Sequence, residues 1–226
     1  MTEYHSKNTA VNSANNEYTD QTNINNSKHA YIDGPKSTEG LMKWVKYSIY
    51  GYIVFEILLL IASATFTYIP ETWDSNSSDP NDVYALVGLG LSVSALAYIV
   101  AFAISAFLVA RFSYRAMRNL HTINSTKAEM SPALTVGWYF IPFANLWKPA
   151  NGMSQIYHGS HAALGEKSES TSPIPLWWIS WLLTTTTGNI SSRIPDYNML
   201  TLTLDSMSCI AGVVSALTLL KICTRI

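Results

Sequence analysis

Charge is what this chain has least of. Asp, Glu, Lys and Arg make up 13% of its 226 residues, about half the usual share in a soluble domain. Neither sign prevails, with 14 Lys plus Arg against 15 Asp plus Glu, so net charge argues against a nucleic-acid or polyanion partner. Cysteine is nearly absent too, with only Cys209 and Cys223. On one helix these lie about 21 Å apart, which excludes a disulfide between them. The chain carries no disulfide framework, and its cysteines indicate no redox compartment. Catalytic signatures are also missing. There is no P-loop, no Gly-x-Ser-x-Gly, no His-Glu-x-x-His and no Rossmann fingerprint. Ser, His and Asp show no arrangement that signals nucleophilic catalysis. His158 and His161 have a spacing two ligands on a helix could use, but no Cys, Asp or further His lies close in sequence to complete a zinc site. No enzymatic activity, metal or cofactor is expected.

Charge is missing most completely from Tyr84 to Ala110. As a helix this run reaches roughly 40 Å, more than the ~30 Å hydrocarbon core of a bilayer. Three further stretches are nearly as poor in charge: Tyr47 to Pro70 holds only Glu56, Ser170 to Ser192 holds none, and Tyr197 to Leu220 holds only Asp205. Spans are expected at about 47–70, 84–110, 174–194 and 198–220. The third is the weakest, because Trp177, Trp178 and Trp181 precede Thr184 to Thr187, Gly188 and Asn189. Its tryptophans suit an interfacial belt. Mean hydropathy is only +0.13, because a polar Asn-rich tail over residues 1 to about 38 dilutes it. That tail is too polar to offset its ordering entropy and is expected to be disordered. It lacks an apolar signal-peptide region, so the first span is expected to serve as an uncleaved insertion signal. Residues 39–226 form the membrane domain.

A fifth apolar patch, Met130 to Trp147, is interrupted by Pro132, Pro142 and Asn145 and followed by Pro149. The segment 132–149 reads as interfacial, re-entrant or packed on the bundle. A fifth span is the alternative, and charge decides against it. The loop after the first span carries Glu71, Asp74, Asp79 and Asp82 without Lys or Arg. Lys36, Lys43 and Lys46 precede that span. Arg111, Arg115, Arg118, Lys127, Lys148 and Lys167 lie in the central loop, and Lys221 and Arg225 near the C-terminus. The positive-inside bias places both termini and the central loop in the cytoplasm, which four spans satisfy and five do not. The expected fold is an all-α integral membrane bundle of four transmembrane helices, with a cytoplasmic interfacial or re-entrant segment between the second and third.

The central loop reads Tyr114-Arg-Ala-Met-Arg-Asn-Leu120, then Ser131-Pro-Ala-Leu-Thr-Val-Gly-Trp-Tyr-Phe-Ile-Pro-Phe-Ala-Asn-Leu-Trp-Lys-Pro149, then Met153 and Tyr157. It resembles the bacterial membrane family catalogued as domain of unknown function 4328. That family shows Tyr-Arg-Ala-x-Arg-Asn-Leu, then Ser-Pro-x-x-x-Val-Gly-Trp-x-Phe-x-Pro-x-x-Asn-Leu-x-x-Pro and a following Met. It usually has Trp near position 157, where this chain has Tyr. The resemblance implies a four-span membrane protein and no activity; the expected location is a bacterial inner membrane.

The candidate functional residues divide into two sets. Glu56 lies near the middle of the first span, on one helical face with Ser48, Tyr52, Ser63 and Thr67. It is either a proton or cation site or, the favoured reading, a buried protonated acid bonded to a neighbouring helix. Asp205 lies on a small, polar seam with Thr201, Ser208, Gly212 and Ser215, and direct contact with Glu56 is not expected. Gly90, Ser94, Ala97, Ala101 and Ser105 give the second span a packing seam. The motif set comprises Arg111, Arg115, Arg118, Asn119, Trp138, Pro142, Asn145 and Pro149. The arginines read first as topogenic charge and second as a clamp for an anionic headgroup or phosphate. Trp138, Tyr139 and Trp147 suit the headgroup level, and Asn145 is expected to satisfy a backbone group freed between Pro142 and Pro149.

These features point to a non-enzymatic membrane component that interacts with a protein partner or anionic lipid; membrane lipid and either a protein partner or further copies of itself are the contacts expected. The alternative is a subunit of a small transporter or channel using Glu56 and Asp205. A lipid-modifying enzyme ranks last, for want of a nucleophile–base pair.

Overall fold

A computed structural model describes residues 34–68, 83–123, 125–166, 172–195 and 198–226. Most of the Asn-rich tail, the acidic loop bearing Glu71, Asp74, Asp79 and Asp82, and Lys167 lie outside the described residues. Within them the chain is all-α. Helix α1 spans Glu39–Thr67 and α2 spans Val83–Thr122. The short α3, Pro132–Gly137, leads through 3-10 turns at Trp138–Phe140 and Ala144–Leu146 into α4, Lys148–Ala163. Helix α5 covers Ile174–Ser191 and α6 covers Met199–Thr224.

Local sequence explains the helix starts. Glu39 sits in the first turn of α1, where a carboxylate opposes the positive helix end. Ser131 caps α3 by accepting from the Leu134 amide, and Pro132 follows at the first helical position, where its missing N–H costs nothing. Asn198 caps α6 reciprocally with Thr201.

The long helices alternate in direction. Ser105 Oγ on α2 donates to the Ser48 carbonyl on α1 at 2.8 Å, and Tyr52 packs on Tyr98 with ring centroids 5.5 Å apart. Both contacts fit an antiparallel α1–α2 pair. Ser63 on α1 meets Asp205 on α6, whereas Glu56 faces Gly212, so α1 and α6 are antiparallel too. Reciprocal bonds between Thr184 and Ser208, at 3.2 and 3.1 Å, bind α5 to α6, and Ser215 Oγ donates to the Trp177 carbonyl at 3.3 Å. These pairs also run antiparallel. One end of the bundle, here the proximal end, therefore holds the start of α1, the end of α2, the start of α5 and the end of α6. The segment between α2 and α5 leaves and returns at that same end, so it does not traverse the bundle.

The apolar core lies towards the proximal end. Val45, Phe112, Met117, Met153, Ile156 and Tyr157 are essentially inaccessible there. Farther along, the helices turn apolar side chains outward, including Ile61 on α1, Leu89 and Leu96 on α2, Leu183 on α5 and Ile210 on α6. Among the described residues, three helices are long and apolar enough to cross a membrane, at Glu39–Thr65, Leu86–Thr122 and Met199–Thr224. The chain thus has the architecture of a multi-pass membrane bundle. Helix α5, with 18 residues, is not among the three; its threonines and Asn189 dilute its apolar character.

The helices also outrun the expected spans. Helix α1 begins at Glu39 rather than near 47, and α2 continues to Thr122 rather than ending near 110. Charge ends a hydrocarbon-crossing stretch without ending a helix, and the charged turns are good helix formers. The segment expected at 132–149 resolves into α3, two 3-10 turns and the first turn of α4.

Candidate functional site

The two intramembrane carboxyls occupy separate settings. Glu56 is buried, at 5% exposure, where α1, α2 and α6 meet. Tyr52, one turn earlier on α1, lies within hydrogen-bonding reach, and Tyr98 approaches from α2. On α6, Gly212 leaves the space that the carboxyl fills; a Cβ at position 212 would overlap both carboxyl oxygens. Glu56 Oε2 is buried without a hydrogen-bond partner.

Asp205 is half-buried and satisfied from two sides. Ser63 Oγ on α1 donates to Oδ2 at 2.7 Å, and Ser191 Oγ on α5 donates to Oδ1 at 2.6 Å. One carboxylate thus ties three helices together. Glu56 and Asp205 stand two helical turns apart in the α1–α6 register, about 10 Å by helical rise. The absence of direct contact agrees with the sequence reading. Tyr98 was missed there, although it continues the seam of Gly90, Ser94, Ala101 and Ser105 at helical spacing. Part of that seam packs on α1 through Ser105, whereas nothing lies within 4 Å of a Cβ at Gly90.

The motif residues divide by role. Asn119 forms a two-way clamp on the backbone of Lys36: the Lys36 amide donates to Oδ1 at 2.9 Å and Nδ2 donates to the Lys36 carbonyl at 2.8 Å. Arg115 Nη1 donates to the Ser37 carbonyl at 2.9 Å. Together they hold the strand of chain entering α1 against the end of α2. This differs from an outward headgroup clamp, because Arg115 is engaged by backbone, Arg118 is half-buried and engaged, and only Arg111 is exposed. His161 is buried with Nδ1 on the Tyr157 carbonyl at 2.8 Å. Tyr157 is fully buried, its ring 4.4 Å from that of His161, and its hydroxyl has no partner.

In the loop, Lys148 Nζ sits 5.5 Å above the half-buried Trp138 ring, and Pro149 is buried at the start of α4. Pro142 is exposed. Asn145 departs from expectation. Its Oδ1 is buried with no hydrogen-bond partner, and the backbone contacts around it are made by main-chain amides, including Asn145 N to the Ile141 carbonyl at 2.9 Å. Trp178 on α5 supports the loop instead, donating its indole N–H to the Leu146 carbonyl at 2.7 Å. Tyr139 packs edge-on against the same ring at 6.5 Å, and burial pushes its phenol above the ordinary range. Phe140 and Phe143 project outward, 81% and 80% exposed. No group of three or more metal-ligating side chains occurs among the described residues.

The family model described as "Domain of unknown function (DUF4328)" matches residues 75–224, which include α2 through α6 and the whole loop. No curated protein and no solved structure matches the chain significantly.

Proposed function

The chain belongs to the DUF4328 family, a domain of unknown function, and on that premise we propose that it is a non-enzymatic component of a bacterial inner membrane. In this reading it crosses four times, keeps both termini in the cytoplasm, and works by contact with anionic lipid or a protein partner. One observation carries it: the motif's polar side chains Arg115 and Asn119 hold the chain's own backbone, while the motif turns Phe140, Phe143 and Trp147 outward. An outward aromatic face suits contact rather than catalysis. The fourth crossing is α5, which runs beside α6 and exposes Leu176, Ile179, Leu183 and Ile190. Lys43, Lys46, Arg111 and Lys221 gather at the proximal end, the pattern of a cytoplasmic face.

Copurification from native membranes should return a stoichiometric partner or enriched anionic lipid; an inert, lipid-indifferent monomer would overturn the contact reading. Cysteines placed at 74–82 should label from outside the intact cell, and one placed at 125 should not. Labelling of 125 from outside would overturn the topology.

A second reading, a transporter or channel subunit, draws on the unpartnered Oε2 of Glu56. Asp205 argues against it, being closed by two serines. Reconstituted vesicles without proton or cation flux would remove this reading.

A further inference from the structure

The loop between α3 and α4 turns at one unusual residue. Phe143 has φ 62° and ψ −53°, and the Ala144 amide donates to the Pro142 carbonyl at 2.7 Å across it. This is a γ-turn of the rare positive-φ kind, strained for any residue with a Cβ. Glycine would hold it with less strain. The chain places phenylalanine there instead, and leaves that ring 80% exposed. Packing within the fold cannot explain the choice, because a ring so exposed contributes little to the core.

Depth supplies the explanation. The loop hangs from Trp178 through the Leu146 carbonyl. Trp178 adjoins Trp177, whose carbonyl takes the Ser215 hydroxyl on α6. Ser215 lies about 9 Å farther into the bundle than Lys221, by helical rise. Lys221 and Lys46 are exposed and mark where the bundle leaves the apolar zone. The loop is therefore suspended from a turn of α5 that lies on the bilayer side of the charged ring, and the same stretch of α5 turns Leu176 and Ile179 outward. Lys148 over Trp138 sets an amphipathic pair at its margin, the arrangement of an interfacial anchor.

We propose that the γ-turn at Phe143 is the tip of a membrane wedge, with Phe140 and Phe143 entering the acyl chains of the cytoplasmic leaflet alongside α5. The inference rests on the four-span topology proposed above and names the lipid acyl region as what the loop contacts. The strained turn aims the ring outward, and 3-10 turns on either side return the backbone before it must cross.

The test uses the full chain purified into vesicles of phosphatidylethanolamine and phosphatidylglycerol, carrying either Phe143→Cys or Lys127→Cys. Native Cys209 and Cys223 are buried, so they give a low background. A membrane-impermeant maleimide should label position 127 from the cytoplasmic face and label position 143 from neither face, at least about tenfold more slowly, as expected of a site buried among acyl chains. Detergent should abolish the difference. Equal labelling of 143 and 127 in these vesicles would overturn the wedge, and so would protection of 143 seen only in native membranes, since a protein would then be its cover. Labelling of 127 from the outer face alone would be a failure of topology, separable from failure of the wedge. Phe143→Gly offers an independent reading. It should raise the thermal midpoint in detergent by relieving the turn; a lowered midpoint would make the ring part of the packed fold and the wedge wrong.

Discussion

Glu56 on α1 lies against Gly212 on α6, and its carboxyl fills the volume that any side chain at 212 would need. Neither residue is informative alone. A glycine in an apolar helix reads as a packing allowance, and an intramembrane glutamate reads as a site. Together they form a fitted pair in which the absent Cβ accommodates a buried acid.

Gly212→Ala should therefore destabilise the bundle by about 1–3 kcal/mol through overpacking. Gly90→Ala is the control, because nothing lies within 4 Å of a Cβ there; that change should be neutral or slightly stabilising. Thermal melts in detergent check both. Equal effects would mean that α1 and α6 do not pack in this register.

Asp205 should behave as the structural carboxylate. Ser63→Ala and Ser191→Ala each remove a donor and should each cost about 1–3 kcal/mol, the cost of leaving a desolvated acceptor without its partner. Combined with Asp205→Asn, the losses should fall short of additive. Strict additivity in a double-mutant cycle would sink the shared-carboxylate account.

Asn119→Ala removes both bonds to Lys36. The entry to α1 should then exchange its Lys36 amide faster by an order of magnitude or more, since a local opening loses about 1–3 kcal/mol of protection. Hydrogen exchange read by mass spectrometry over residues 34–42 checks this. Unchanged exchange would mean that Arg115 alone holds the strap.

Tyr157→Phe should be neutral or stabilising by up to about 1 kcal/mol, because it deletes a buried hydroxyl that has no partner. A large loss of stability would show that the hydroxyl is bonded in the folded protein.

Much of the membrane domain is legible from the residue order. Runs without charge, at Tyr84 to Ala110 above all, oblige a helix in lipid because no other structure satisfies its backbone groups. The polar face of α1 through Glu56 and Ser63, and the seam of α6 through Asp205 and Gly212, follow from helical spacing. Their pairing does not. Which turn of α1 meets which turn of α6 depends on how two surfaces interlock, and a shift of one turn would set Glu56 against another residue with an unchanged pattern. The roles of Arg115 and Asn119 also depended on a strand of chain remote in sequence returning to them. Phe143 is the clearest case. Local preference argues against a phenylalanine at positive φ, so only the assembled loop, suspended from Trp178 and closed by Pro142, could impose that turn.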